Sequence, residues 1–262
     1  GCLRFTRNAA QIRFSGGVSS LSLEQAPAGV QLAVPLFRRM ERLPMTPVAD
    51  DSMLLRLDSP KADQLLGSLL TNESIQQSLE SNFGLPSSTL TTLLKAPLQI
   101  RLTPVSIGPF QAVLHMNLRL TMSRALLATT LNSVGEALEE RGLVRQVVDV
   151  INPDGRSASE AVVWSRADGP PLGGWIVAPS DDSLQHLELS LGGSPLPRGP
   201  GNTDPGTRLS MTMLPRELVR RGLMADSWSS TIQQAVSLKL QLQPLFKNKA
   251  DWQWLEGQLA VP

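Results

Sequence analysis

The sequence has one cysteine, no tyrosine and no long apolar run, and each absence narrows what the protein can be. Cys2 is the only cysteine, so no internal disulfide can form and the fold depends on its hydrophobic core. No stretch of about 18 or more uninterrupted apolar residues occurs, so the sequence predicts no transmembrane helix. The formal net charge is only +1, and the sequence therefore predicts no nucleic-acid partner.

The usual motifs of catalytic and metal sites are also missing. There is no glycine-rich phosphate loop, no HExxH motif and no paired CxxC motif. The only two histidines, His115 and His186, are interpreted as surface side chains. The sequence therefore predicts no catalytic residue, no metal site, no cofactor and no enzymatic activity.

The position of the single cysteine suggests a membrane anchor. In bacterial lipoproteins the mature chain begins with a cysteine that carries lipid, and "GCLRFTR" places Cys2 accordingly. Cys2 is therefore a hypothetical lipidation site. The stretch would equally fit the end of an N-terminal membrane helix, with Arg4 and Arg7 as flanking cations. A third interpretation is an ordinary free cysteine.

Hydrophobic periodicity predicts alternating strands and helices. Ile75, Leu79 and Phe83 lie four residues apart before Gly84, which is typical of an amphipathic helix with a glycine after its C-terminus. "FQAVLHMNLRL" alternates apolar and polar residues, as a strand covered on one side does. A single helix is predicted over residues 215–235.

The order of these segments predicts the fold class. We expect an α+β protein with antiparallel sheets covered by helices on one face, and with a degenerate duplicated β-α-β-β unit. The predicted organisation has four parts. These are N-terminal strands and a linker (1–50), a first α+β unit with an additional helix and hairpin (51–191), a Pro/Gly-rich loop (192–206) and a second β-α-β-β unit (207–262).

Two tryptophans near the end of the chain are candidates for a binding surface. Trp252 and Trp254 are two residues apart on a predicted strand and share a face, whereas Leu255 and Leu259 belong to the other face. The two indoles form either a docking patch for a partner or part of a second packed layer.

The layout resembles a known protein family. The strand-proline-helix segments, "GPFQAVLHMNLRL", "GGWIVAPSDDSLQHLE" and the terminal "WQWLEGQLAV" resemble cyanobacterial membrane-anchored proteins grouped as domain of unknown function 3352. The resemblance is one of pattern over most of the chain. It implies an N-terminal membrane anchor with the body outside the cytoplasm, in the periplasm or facing the thylakoid lumen, and it carries no catalytic residues.

The sequence therefore predicts a non-enzymatic, extracytoplasmic, membrane-tethered binding or scaffolding protein whose partner is an unknown protein. One alternative is a carrier of lipid or another apolar ligand, for which methionine-rich strands such as "LSMTML" would provide a deformable lining. A second alternative is a serine hydrolase without a recognisable motif.

Overall fold

The computed structural model describes residues 2–8, 10–19, 53–62, 73–105, 110–151, 158–178, 184–195, 209–224, 228–246 and 249–262. The strands are β1 (Cys2–Asn8), β2 (Gln11–Ser19), β3 (Leu55–Ser59), β4 (Leu98–Pro104), β5 (Ala112–Leu120), β6 (Val144–Ile151), β7 (Ala158–Ser165), β8 (Pro171–Ala178), β9 (Gln185–Leu191), β10 (Leu209–Met213), β11 (Ser237–Phe246) and β12 (Lys249–Ala260). The helices are α1 (Glu73–Phe83), α2 (Ser87–Lys95), α3 (Arg124–Glu139), α4 (Pro215–Arg220) and α5 (Ser230–Gln233).

All twelve strands of the described residues belong to one sheet. Their order is β1-β2-β12-β11-β10-β3-β4-β5-β9-β8-β7-β6, and each neighbouring pair is antiparallel. Near the middle of the sheet β3 pairs with β10, and Leu55 lies opposite Met213. The N-terminal hairpin β1–β2 joins the sheet beside the last strand, β12.

The α+β fold class predicted from the sequence is wrong. A single large antiparallel sheet dominates the structure, in place of helix-covered sheets built from a duplicated β-α-β-β unit. Of the described helices, α4 has only 6 residues and α5 only 4. The alternation of residues reveals a strand but not its neighbours. For this reason the sequence could not show that β3 and β10 pair directly.

The two main core clusters lie on one face of this sheet, which we call the apolar face, and a smaller cluster of Ala161, Val163 and Ile176 lies on the other face of β7 and β8. One cluster surrounds Leu98, Leu118 and Leu187 of the strands, and Leu127 of α3 packs into it. A second cluster contains the following buried residues: Leu54, Met213, Leu218, Ala235, Leu238 and Leu259. Together the two clusters contain residues from every strand between β2 and β9 in the order of the sheet.

Several helix boundaries follow local sequence signals. The predicted helix before Gly84 is confirmed as α1, and Gly84 has a φ of 61°, the left-handed conformation that glycine adopts readily. Ser123 precedes α3 and its hydroxyl accepts a hydrogen bond from the Leu126 N–H at 3.3 Å. The single helix predicted over residues 215–235 is wrong. Gly222, with a φ of 66°, follows α4, and the next described helix, α5, begins only at Ser230.

Candidate functional site

The face of the sheet opposite the core is polar from β2 to β9. On β4, Leu98 and Ile100 pack into the core, so Gln99 and Arg101 lie on the opposite side. Opposed residues of antiparallel strands share a face, so the pairing register extends this surface across the sheet. We call it the polar face; its side chains include Arg13, Glu256, Lys239, Thr212, Arg56, Asp58, Gln99, Arg101, His115, Asn117 and Glu188.

Five basic side chains of the polar face lie in one row across the strands. This basic row consists of Arg13, Lys239, Arg56, Arg101 and His115, with Gln258 and Thr212 between them. Its register pairs are Arg13–Gln258, Gln258–Lys239, Lys239–Thr212, Thr212–Arg56, Arg56–Arg101 and Arg101–His115. Since neighbouring strands lie about 4.8 Å apart, the row extends for about 29 Å.

The carboxylate of Asp58 compensates part of the basic row. Arg56 Nε lies 2.7 Å from Asp58 Oδ2, and Arg56 Nη2 lies 3.4 Å from Oδ1. Gln99 Nε2 donates to Oδ1, and Ser210 Oγ donates to Oδ2 at 3.4 Å. Because Arg56 lies directly opposite Arg101, two like charges are adjacent, and Asp58 offsets their repulsion.

A cleft opens on the polar face beside the end of the basic row. About 20 Å³ of the cleft admits water-sized molecules, and its lining residues are Gln99, Arg101, His115, Met116, Asn117, Glu188, Leu189 and Pro195. The wall that contains Pro195 is formed by the segment after β9, where Ser190 Oγ donates to the Gly193 carbonyl at 2.7 Å. A Cβ on Gly174 would lie 2.9 Å from Pro195 Cδ, so glycine at this position permits the close approach of that wall.

His115 is buried in this cleft, and its interpretation as a surface side chain is wrong. It is 9% exposed, and burial lowers the pKa of its imidazole below the ordinary value of 6.5. Burial, followed by the positive charge of Arg119, also lowers the pKa of His186 on β9. Both rings are therefore neutral at neutral pH.

The free energy of unfolding is expected to fall as the pH is lowered from about 7.5 to about 5.5. In the unfolded chain the histidines titrate near 6.5, so below that pH the unfolded state binds protons that the folded state does not. Each histidine can contribute a slope of at most about 1.4 kcal/mol per pH unit, less where solvent screens the ring. Urea titrations across this pH range measure the effect.

The variants H115Q and H186Q serve as controls for the assignment. Each should remove part of the pH dependence, and the double variant should remove most of it. A double variant that retained the full slope would show that other groups cause it.

The residues singled out from the sequence lie on different parts of the sheet. Cys2 is the first residue of the edge strand β1, where its backbone is opposite Gly17. Trp254 on β12 is half-buried and lies opposite Gly17 and Gln243, on the polar face. The structure does not describe the side chains of Cys2 and Trp252, and the lipidation site and the tryptophan patch stay predictions. Met211 and Met213 of "LSMTML" pack into the second core cluster.

Sequence reasoning missed the basic row and the cleft. Alternation places His115, Asn117 and Arg119 on the polar side of β5, as predicted, but Arg13, Lys239, Arg56 and Arg101 come from four separate segments. Only the strand order and the register bring them into one line, and a single sequence carries no direct signal for either.

Within the described parts of the chain, no helix is long and apolar enough to cross a membrane. The described residues also contain no group of three or more His, Cys, Asp or Glu side chains that could hold a metal ion. Comparison of the chain with protein-family models, curated proteins and solved structures found no match.

Proposed function

We propose that this protein is a non-enzymatic binding or scaffolding protein, tethered to a membrane on its extracytoplasmic side, and that its polar face binds an acidic surface of a protein partner. The observation that supports this proposal is the basic row, which gathers cations from four segments of a chain with a net charge of only +1. Clustered charge of one sign accelerates association with a partner of the opposite sign.

The distribution of acidic groups favours a protein over a uniform polyanion. Glu256, Asp58 and Glu188 lie in the line of polar-face residues next to the basic row. The two lines are two residues apart along the strands, which is a distance of about 7 Å. A polyanion lying across the sheet would meet these carboxylates as well as the cations. A protein surface can offer both signs of charge in a matching arrangement.

Trp254 supports the same choice of surface. Its indole lies on the polar face, four residues along β12 from Gln258, which belongs to the line of the basic row. Tryptophan is among the residues that contribute most to binding at protein interfaces. The membrane tether rests on the hypotheses that Cys2 carries lipid and that the sequence pattern resembles that of membrane-anchored proteins.

The proposal is tested by photocrosslinking in cells that express the natural full-length protein. A photoreactive amino acid replaces Thr212, in the middle of the basic row, or Thr129, an exposed position on α3. We expect the protein in the membrane fraction, with a lipid-sized mass increment on the peptide that contains Cys2. We also expect a crosslinked adduct from position 212 that is absent from position 129.

Charge variants provide the matched control for this experiment. K239E reverses a charge within the basic row, whereas R124E reverses an exposed cation at the start of α3. A loss of about 1 kcal/mol in binding corresponds to about a fivefold weaker adduct for K239E, and R124E should leave it unchanged. Equal adducts from positions 212 and 129, or an adduct insensitive to K239E, would contradict the polar face as the binding surface. An unmodified protein in the soluble fraction would contradict the tether.

A further inference from the structure

Two nitrogen atoms in the cleft lack hydrogen-bond partners. Arg101 Nε and His115 Nε2 are both inaccessible to solvent, and neither has a partner among the residues that the structure describes. A buried donor left without an acceptor destabilises the folded protein. Such groups are rare in folded proteins, and an ion bound beside them is one physical reason for them.

The neighbouring carboxylates are already engaged. Asp58 accepts hydrogen bonds from Arg56, Gln99 and Ser210. Glu188 accepts from Asn117 Nδ2 at 3.4 Å, on the far side of the cleft from Arg101. The guanidinium of Arg101 has Arg56 on one side and His115 on the other, so its immediate cross-strand neighbours supply no negative charge.

We propose that this cleft binds a carboxylate group, with Arg101 and His115 as its hydrogen-bond donors. A guanidinium presents parallel N–H groups whose spacing matches the two oxygens of a carboxylate. The second donor is the Nε2–H of His115, which the neutral ring carries in one of its two tautomers. Only about 20 Å³ of the cleft admits water-sized groups, so it can hold the carboxylate group itself while the rest of a ligand stays outside.

Glu188 selects a singly charged anion over phosphate or sulfate. It is 8% exposed and lines the same cleft, so it repels a dianion more strongly than a carboxylate. The charged and titratable groups that surround His115 are Arg56, Asp58 and Arg101 on the β3–β4 side and Glu188 on β9. A carboxylate in the cleft adds one negative charge next to the two donors.

This inference deepens the proposed function, on which its biological meaning rests, because it identifies the chemical group that a partner would insert. The carboxylate can come from an acidic side chain of a protein partner or from a free organic acid. Both sources present the same group to Arg101 and His115, and the experiment separates them.

The test is an NMR titration of the 262-residue chain at constant pH and ionic strength. The chain has only two histidines, so H115Q assigns the ring signals of His115, and His186, which does not line the cleft, is the internal reference. Acetate replaces chloride stepwise, and we expect a saturable shift of the His115 ring signals at millimolar concentrations.

Variants of the basic row establish which residue binds. R101Q should raise the apparent Kd for acetate at least tenfold, and K239Q, which removes a cation of the same row outside the cleft, should change it less than twofold. R101K keeps the charge without the guanidinium geometry and should weaken binding by an intermediate factor; it also replaces R101Q if that variant does not fold. A shift that persists unchanged in R101Q and R101K would overturn the assignment.

Other ligands complete the test. Inorganic phosphate that binds more tightly than acetate, or no saturable shift with acetate, would overturn the inference. A blocked Gly-Glu-Gly peptide that binds more tightly than acetate would support a partner's side chain as the source of the carboxylate. Tighter binding of acetate would support a free acid.

Acetate binding and the crosslink test the two proposals separately, because acetate needs no partner. A crosslink at position 212 without acetate binding would refute only the cleft as a carboxylate site. Acetate binding without a crosslink would refute only the docked partner.

Discussion

Replacing Trp164 by alanine is expected to lower the free energy of unfolding by about 3 to 5 kcal/mol. Trp164 on β7 is 2% exposed, and its ring centroid lies 5.6 Å from that of Trp175, at an interplanar angle of 43°. The residue also meets helix α3, because a Cβ on Gly135 would lie 3.3 Å from Trp164 Cζ2. Truncation therefore leaves a cavity between the sheet and the helix.

Chemical denaturation measures this loss, and Trp228 provides a matched control. Trp228 is 40% exposed, so W228A should change the free energy of unfolding by less than about 0.5 kcal/mol. W164F should cost less than half as much as W164A, because it keeps a ring and removes an indole N–H that has no partner among the described residues. Equal losses for W164A and W228A would show that Trp164 does not belong to the core.

The second large effect is expected at Asp58. D58A should cost about 2 to 3 kcal/mol, because it leaves Arg56, Gln99 and Ser210 without their common acceptor and leaves Arg56 uncompensated opposite Arg101. The value lies below that of a fully buried ion pair because the side chain of Arg56 is 41% exposed. D58N, which keeps an oxygen acceptor, should lie between the wild type and D58A.

A double variant isolates the repulsion within the basic row. Adding R101Q to D58A should recover about 0.2 to 1 kcal/mol, since it removes one of the two adjacent cations. E256A removes an exposed carboxylate from the same face and should cost less than about 0.5 kcal/mol. If D58A cost no more than E256A, Asp58 would not be the group that compensates the row.

Local sequence patterns predicted individual elements well. The spacing of Ile75, Leu79 and Phe83 predicted α1, and the alternation in "FQAVLHMNLRL" predicted which residues of β5 share a face. The opposite faces of Trp254 and Leu255 on β12 were predicted in the same way. These features depend only on the helical or strand period, which a short stretch of sequence contains in full.

Features that depend on distant segments could not be predicted. The alternation of β5 predicts the face on which His115 lies but not its burial, because it does not reveal the wall around Pro195 that helps to enclose the cleft. The fold class failed for a related reason. The pairing of β3 with β10 merges strands that the sequence assigned to separate units, and register between such strands is fixed only by tertiary packing.

The pairing of β2 with β12 has a consequence for the synthesis of the chain. Gln11 lies opposite Ala260, so the partner of β2 is made on the order of 250 residues after it. At about 5 to 20 residues per second, the ribosome needs about 10 to 50 s to supply that partner. Throughout this interval the hairpin β1–β2, with Phe5 in contact with Phe14, has an unpaired edge where β12 will later bind. The sheet is therefore completed late, and its earliest strands depend on protection from association with other nascent chains.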